Sequence, residues 1–275
     1  MTEYTPENAA NWLYNNGLAC KDVAFAVVCG SGLAQAMDNF VETVMSWQFK
    51  DIPGFPEITV SGHSGKMNIV KFMNSGVLAL VFLGRVHLYE GIDIEKLLFQ
   101  VRLVNALKIK RLVITCSVGS VNRRTLPGSL GLITEHVDLQ LNRPFCKTKT
   151  TGIKYHTKIY DRDLIEIFER SALTTGIELT SGTLYSVLGP AYETPAEVSM
   201  IKRLGGDWVS MSTAKEAFEA HKLGIRTVGI TGIANFVNAY PEMGEVTTHN
   251  EVLDAAKKSS KALWALLSSA SADLS

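Results

Sequence analysis

Short runs of almost continuously apolar and β-branched residues recur along this chain and alternate with stretches of helical periodicity. The runs lie at residues 23–29, 67–72, 77–83, 111–115, 130–134, 183–188, 208–211 and 226–231. Such runs are typical of strands that are covered on both faces of a sheet. Helical patterns lie at residues 6–16, 93–107, 162–172, 196–204, 214–223 and 250–267, and Thr5 is placed to cap the first. The alternation predicts a layered α/β fold.

The chain shows no feature of a domain boundary. Its 275 residues include no Pro/Ser-rich linker, low-complexity tract or internal repeat, so residues 1–275 are predicted to form a single domain. With 46% hydrophobic and only 20% charged residues, the chain can build a large core. Residues 142–156, rich in Lys and Thr, are predicted to form an exposed loop.

Charge and cysteine content exclude several classes of function. Lys+Arg and Asp+Glu both number 27, so nothing indicates binding to nucleic acid or to an anionic membrane. The cysteines are too widely spaced for a zinc site or a disulfide framework, which predicts no metal and a reducing compartment. The N-terminus is polar and acidic, unlike a signal peptide, and the apolar run at 77–83 is far too short to span a bilayer. We therefore expect a cytoplasmic protein.

A turn rich in Gly and Pro, Gly189-Pro-Ala-Tyr-Glu-Thr-Pro-Ala-Glu197, follows the run at 183–188. Its second half has the pattern of a helix start, with Thr194 as N-cap, Pro195 in the first position and Glu197 three residues after the cap. That interpretation leaves Glu193 without a role. Since burying a carboxylate is costly without a donor, Glu193 is a candidate for ligand binding.

Two further segments follow predicted strands and carry anion-binding chemistry. Cys29-Gly-Ser-Gly-Leu33 is suited to an anion cradle, with a plain turn as the alternative, while a dinucleotide fingerprint is excluded because Gln35 replaces its last glycine. Gly84-Arg-Val-His-Leu-Tyr-Glu-Gly91 places Arg85 and His87 two residues apart, on one side of an extended segment. Both side chains suit phosphate, although a solvated strand end is the alternative.

An amide and two histidines complete the candidates. Asn235 ends a buried strand, where ligands commonly bind in α/β proteins, and its amide can both donate and accept a hydrogen bond. An Asx turn is the alternative for Asn235. His63 lies in a glycine-flanked loop and His249 precedes the last helix, and either could be incidental.

Taken together and in order, these motifs resemble those of the trimeric purine nucleoside phosphorylases over nearly the whole chain. Four further segments add to the resemblance: Pro53-Gly-Phe-Pro56, Gly62-His-Ser-Gly65, Ser210-Met-Ser-Thr213 and Ile233-Ala-Asn235. The resemblance implies a mixed twisted sheet that is partly closed into a barrel and flanked by helices. It also implies a homotrimer in purine salvage. Such an enzyme cleaves inosine or guanosine with phosphate as co-substrate and no cofactor, giving the base and α-ribose 1-phosphate.

The resemblance also assigns roles to individual residues. It implies that Asn235, Glu193 and His87 are the catalytic residues. The phosphate ligands would be Ser31, His63, Arg85, His87, Ser117 and Ser212. The ribose contacts would be Tyr89, Met211 and His249, and the base contacts Tyr192, Glu193 and Asn235. Tyr155, with Ile153 as an equal alternative, would approach the neighbouring subunit's site.

The chain departs from the family pattern in two places. In Thr115-Cys-Ser-Val-Gly-Ser-Val-Asn122, Cys116 replaces an asparagine, Val118 an alanine and Ser120 a glycine. Because of these replacements, the sequence does not determine the shape of the binding pocket. The loop that follows Glu135-His-Val-Asp138 is shorter than usual. Two alternatives therefore stay open: a phosphorylase for adenosine or methylthioadenosine, and a nucleoside-binding protein with little catalysis.

Overall fold

The computed structural model of this protein describes residues 5–19, 22–58, 64–140, 158–237 and 249–275, with only the backbone for 249–253. In chain order the helices and strands are α1 (Pro6–Asn15), β1 (Val23–Val28), β2 (Val41–Gln48), β3 (Lys66–Phe72), β4 (Leu78–Leu83), α2 (Ile94–Leu97), α3 (Phe99–Ala106), β5 (Arg111–Ser120), β6 (Leu130–Asp138), α4 (Arg162–Thr175), β7 (Leu179–Ser186), α5 (Pro195–Arg203), β8 (Trp208–Ser210), α6 (Ala214–Lys222), β9 (Arg226–Phe236) and α7 (His249–Ala270). The predicted α/β alternation is confirmed.

The strands that the structure describes form one mixed sheet in the order β2-β3-β4-β1-β5-β8-β7-β6-β9, and β5 also pairs with β9. The extra pairing closes β5, β8, β7, β6 and β9 into a barrel, while β1 to β4 continue as an open sheet. Parallel pairs such as β1–β5 and β5–β9 occur beside antiparallel pairs such as β5–β8 and β6–β9. The predicted mixed sheet, partly closed into a barrel, is confirmed.

Helices cover both faces of the sheet, because each face carries its own apolar cluster. One cluster joins the barrel interior, with the fully buried Trp208, to apolar residues of α1, α3 and α6. The other joins the opposite face to Phe168 of α4 and Trp264 of α7. Each fully buried apolar side chain of this size contributes about 1.5–3 kcal/mol, so the two clusters hold the strand ends rigidly.

The observed strands differ from the predicted runs mainly at the barrel. The runs at 111–115, 130–134 and 226–231 extend to Ser120, Asp138 and Phe236, because neighbouring barrel strands supply hydrogen bonds to segments that are not apolar. Strand β2 was not predicted, since most of its residues are exposed or half-buried and it lies at the edge of the sheet.

Predicted helix caps are confirmed in two places. The Thr5 hydroxyl accepts from the amide of Asn8 at 3.2 Å. Thr194 and Glu197 form a reciprocal capping box at the start of α5, with the Thr194 amide 2.7 Å from the Glu197 carboxylate. The predicted loop at 142–156 lies outside the described residues. Within the described part of the chain, no helix is long and apolar enough to cross a membrane.

Candidate active site

The loop after β1 lies directly against β5. A Cβ built on Gly30 would lie 2.7 Å from the Cα of Cys116, so the close approach requires glycine. The Gly30 amide donates to the Thr115 hydroxyl at 3.0 Å, and the Ser117 hydroxyl donates to the Ser31 carbonyl at 2.6 Å. Two predicted phosphate ligands, Ser31 and Ser117, are therefore joined by a hydrogen bond.

Arg85 enters this site from the end of β4 and is buried, with 1% of its surface exposed. Its Nη1 donates to Glu216 at 2.8 Å and to the Thr213 hydroxyl at 3.4 Å, and its Nη2 donates to the carbonyls of Val28 and Thr115. The sequence predicts that this guanidinium group binds an anion. In the structure, both of its Nη atoms donate to acceptors of the protein itself. Its Nε is buried without an acceptor among the described residues.

The turn between β8 and α6 has an unusual backbone. Thr213 has φ 82° and ψ −51°, and the Ala214 amide donates to the Ser212 carbonyl at 3.1 Å, which makes a γ-turn of the strained, positive-φ kind. For a β-branched residue such a conformation costs about 1–3 kcal/mol. The Ser212 hydroxyl lies 3.4 Å from the hydroxyls of both Ser210 and Thr213. Strain at this point indicates a functional constraint.

Serine and threonine hydroxyls connect this turn to the loop after β1. Ser210 donates to the Ser117 carbonyl at 3.4 Å, and Ser117 in turn donates to Ser31. Ser212 and Thr213 extend the same series to Arg85. The structure therefore brings together four predicted phosphate ligands, namely Ser31, Ser117, Ser212 and Arg85.

His87 begins the short 3-10 turn after β4 and lies 3.3 Å from the Glu90 carboxylate through Nδ1. Burial and the nearby positive charge of Arg85 lower the pKa of His87, while Glu216 and Glu90 act in the opposite direction. The imidazole is therefore mainly neutral at pH 7, with one ring nitrogen as a donor and the other as an acceptor. Its ring stacks on Tyr89, with centroids 5.0 Å apart.

Two predicted ribose contacts converge on Gly189. A Cβ there would lie 2.3 Å from the Met211 sulfur and 3.1 Å from Cδ1 of Tyr89, so both side chains contact the bare glycine backbone. Burial, followed by Glu90 and Tyr192, raises the pKa of Tyr89, which keeps its hydroxyl protonated at neutral pH. Tyr89 and Met211 thus connect the predicted phosphate ligands to the turn at 189–194.

The predicted base contacts are more open. Tyr192 is 87% exposed, and Glu193 is half-buried. Burial raises the pKa of Glu193, and the charge of Glu197 adds to the rise. Asn235 donates from Nδ2 to the Phe236 carbonyl at 3.1 Å and lies opposite Gly119 on β5. Within the described residues no hydrogen bond joins Glu193 to Asn235.

The departures at 116–120 are buried, and the Cys116 thiol contacts the site through hydrogen bonds with the side chains of Thr213 and Ser210. Cys116, Val118 and Ser120 alternate into the interior and are almost fully buried, whereas Ser117 and Gly119 face the other way and are half-buried. The Ser120 hydroxyl lies 2.8 Å from the Thr125 hydroxyl and bonds to the backbone of the turn after β5.

Three predicted site residues cannot be placed by their side chains. His63 and Tyr155 lie outside the described residues, and His249 is described only as the first residue of α7. Two residues that the sequence analysis missed belong to the site instead: Thr213 and Glu216. Their spacing is that of a capping box before an apolar helix, and this signal could have identified them.

No group of potential metal ligands occurs among the residues that the structure describes. A cleft of about 510 Å³ lies elsewhere, beyond the end of β5, and is lined by Val121, Asn122, Arg123, Arg124, Lys202, Gly205, Gly206 and Asp207. None of the predicted site residues lines it. Arg124 is paired there with Asp207 at 2.9 Å, so part of its positive charge is neutralised.

Comparison with known proteins gives consistent matches. The model of the phosphorylase superfamily matches residues 24–272. Purine nucleoside phosphorylase 1 of Bacillus subtilis is 34% identical over 236 residues, covering 84% of this chain and 85% of the relative. The purine nucleoside phosphorylase of Mus musculus is 33% identical over 269 residues, covering 94% and 90%.

Solved structures match over nearly the full length. A schistosoma purine nucleoside phosphorylase in complex with hypoxanthine gives a TM-score of 0.84 at 24% identity, covering 98% of this chain and 97% of that chain. The Schistosoma mansoni purine nucleoside phosphorylase in complex with inosine gives 0.82 at 25% identity, covering 97% and 95%.

Proposed function

Because the chain belongs to the purine nucleoside phosphorylase family within the phosphorylase superfamily, we propose that it cleaves purine nucleosides with phosphate. Inosine or guanosine plus phosphate gives the free base and α-ribose 1-phosphate. The observation that carries this proposal is the series of hydrogen bonds from the exposed Ser31 to the buried Arg85, whose Nε has no acceptor among the described residues. A phosphate oxygen would satisfy such a donor.

In this proposal the phosphate lies below C1′ of the ribose and is held by Ser31, Ser117, Ser212, Arg85, His87 and His63. His87 would lie beside a phosphate oxygen, next to Arg85. Bond cleavage passes through an oxocarbenium-like state, as in glycoside hydrolysis. Phosphate is the nucleophile, so the protein contributes position and electrostatic stabilisation rather than an attacking carboxylate.

The departing purine receives the negative charge in this scheme. Asn235 would donate from its side-chain amide to N7 and O6, and this contact strengthens as the C–N bond breaks. Glu193, as a carboxylate, would accept from purine N1–H, and Tyr192 would pack on the base. Tyr89, Met211 and His249 would hold the ribose.

We further propose a cytoplasmic homotrimer that serves purine salvage and needs no cofactor. Its active sites would lie near the subunit interfaces, with Tyr155 approaching the neighbouring site. A light-scattering mass near three times the 30.1 kDa of the chain would support this assembly. A fully active monomer would contradict it.

A substrate panel tests the activity. Inosine, guanosine, adenosine and methylthioadenosine are incubated with and without phosphate, and the free base is quantified. We expect phosphate-dependent release from inosine and guanosine. Preferred release from adenosine or methylthioadenosine would establish the alternative phosphorylase instead. Saturable nucleoside binding without any release would identify a binding protein.

A further inference from the structure

We propose that Glu216 is a positioning residue for phosphate, because one of its oxygens ties Arg85 to the Ser212–Thr213 turn. This inference rests on the proposed phosphorolysis. Glu216 contacts neither the anion nor the nucleoside in this scheme. It acts through the two protein segments that do contact phosphate.

A single carboxylate oxygen of Glu216 accepts hydrogen bonds from both segments. Oε2 of Glu216 accepts from Nη1 of Arg85 at 2.8 Å and from the Thr213 amide at 2.8 Å. Glu216 and Arg85 are both buried, with 3% and 1% of their surfaces exposed. Charge-assisted hydrogen bonds of this length are strong and directional. A displacement of this oxygen therefore moves both the strand-end guanidinium and the turn.

The turn needs such a clamp because its backbone is strained. Thr213 has φ 82°, a conformation that a β-branched residue leaves unless its surroundings hold it. The bond from the Thr213 amide to Glu216 holds it, and the adjacent Ser212 hydroxyl is oriented as a result. Ser212 and Arg85 approach the anion from different strands, so Glu216 fixes their relative position.

The chain offers a matched control on the same helix. Glu219, also on α6 and 5% exposed, accepts from Arg102 and from Lys222 at 2.8 Å each. Like Glu216, Glu219 is a buried carboxylate that accepts from two nitrogen donors, but neither donor belongs to the proposed site. Shortening either carboxylate by one methylene is thus the same chemical change in two places.

The experiment compares Glu216→Asp with Glu219→Asp by steady-state kinetics. The charge is retained, but the shorter side chain cannot reach both partners. We expect Glu216→Asp to raise the KM for phosphate roughly 10- to 100-fold, as for other supporting-shell residues, with far less change in the KM for inosine. Glu219→Asp should leave both constants near wild type. The inference would be overturned if both variants raised the KM for phosphate equally, or if Glu216→Asp raised the KM for phosphate and the KM for inosine equally.

Glu216→Gln provides an independent arm if the aspartate variant does not fold. Glutamine keeps the length and an acceptor oxygen but loses the charge, so its phosphate KM should rise much less than that of Glu216→Asp. A rise as large as that expected for Glu216→Asp would show that charge, not reach, matters, and would overturn the inference. Absence of phosphate-dependent purine release from the wild-type protein would instead refute the proposed function.

Discussion

The two halves of the candidate site are built differently. On the phosphate side, Arg85 and Glu216 form a buried ion pair, and a strained turn at Thr213 is held by hydrogen bonds. On the base side, Tyr192 is 87% exposed and Glu193 is half-buried. The first half is held by internal hydrogen bonds, with the Nε of Arg85 lacking an acceptor among the described residues, whereas the second half is more open to solvent.

Under the proposed function, the difference follows from what each half would bind. A small anion binds tightly only if its donors are already oriented, because reorienting dipoles around it would cost free energy at each turnover. A purine instead offers large apolar faces and a few polar edges, and an open aromatic surface with one carboxylate and one amide can receive it. The predictions below test this contrast, from the largest expected effect to the smallest.

Arg85→Met should lower the free energy of unfolding by about 3–5 kcal/mol, because it leaves the buried Glu216 without its cation. Chemical denaturation at fixed protein concentration measures the loss. The double variant Arg85→Met/Glu216→Gln removes the unpaired charge and should recover most of it. A loss from Arg85→Met similar to that of a surface substitution would show that the phosphate half is not held by this ion pair.

Asn235→Ala should lower kcat about 10²- to 10³-fold, by analogy with the loss of one oxyanion donor. The KM for inosine should change less, because the contact strengthens toward the transition state. Steady-state kinetics at saturating phosphate gives both constants. A change in KM alone would reassign Asn235 to ground-state binding.

Inosine should be preferred over adenosine by about a hundredfold or more in kcat/KM, because Glu193 accepts from N1–H but meets a lone pair in adenosine. Glu193→Gln can donate as well as accept, and should reduce this ratio. Parallel kinetics with the two nucleosides provides the test. Equal values for the wild-type protein would remove Glu193 from base recognition.

The pH dependence of kcat/KM for inosine should also reflect the titration of Glu193. Burial raises the pKa of Glu193, so its acceptor form is lost as pH falls, at a higher pH than for an exposed glutamate. The kcat/KM for inosine should therefore decline on the acid side with an apparent pKa above the ordinary carboxyl value. Glu193→Gln should remove this decline, and an identical profile would assign it to another group.

Tyr192→Ala should change stability by no more than about 0.5 kcal/mol, because the side chain is mostly exposed. It should nevertheless raise the KM for inosine through lost stacking, with the phosphate KM unchanged. Thermal unfolding and kinetics of the same preparation separate the two effects. A large loss of stability would show that the base half is built into the core.

The sequence predicted the fold because apolar strands and amphipathic helices are local patterns. It missed the exposed edge strand β2 and the polar ends of β5, β6 and β9, whose pairing depends on the closed barrel. For the site, it predicted that Arg85 and Ser212 serve one anion, and the structure brings them together. The pairing of Arg85 with Glu216 was not predictable from spacing, because 131 positions separate the two.

The most direct test of the proposed activity is the stoichiometry of the products. Inosine and phosphate are incubated with the protein, hypoxanthine is quantified by chromatography and the sugar product by ³¹P NMR. The proposed function predicts equimolar hypoxanthine and α-ribose 1-phosphate, and no release when phosphate is omitted. Free ribose, or release that continues without phosphate, would contradict it.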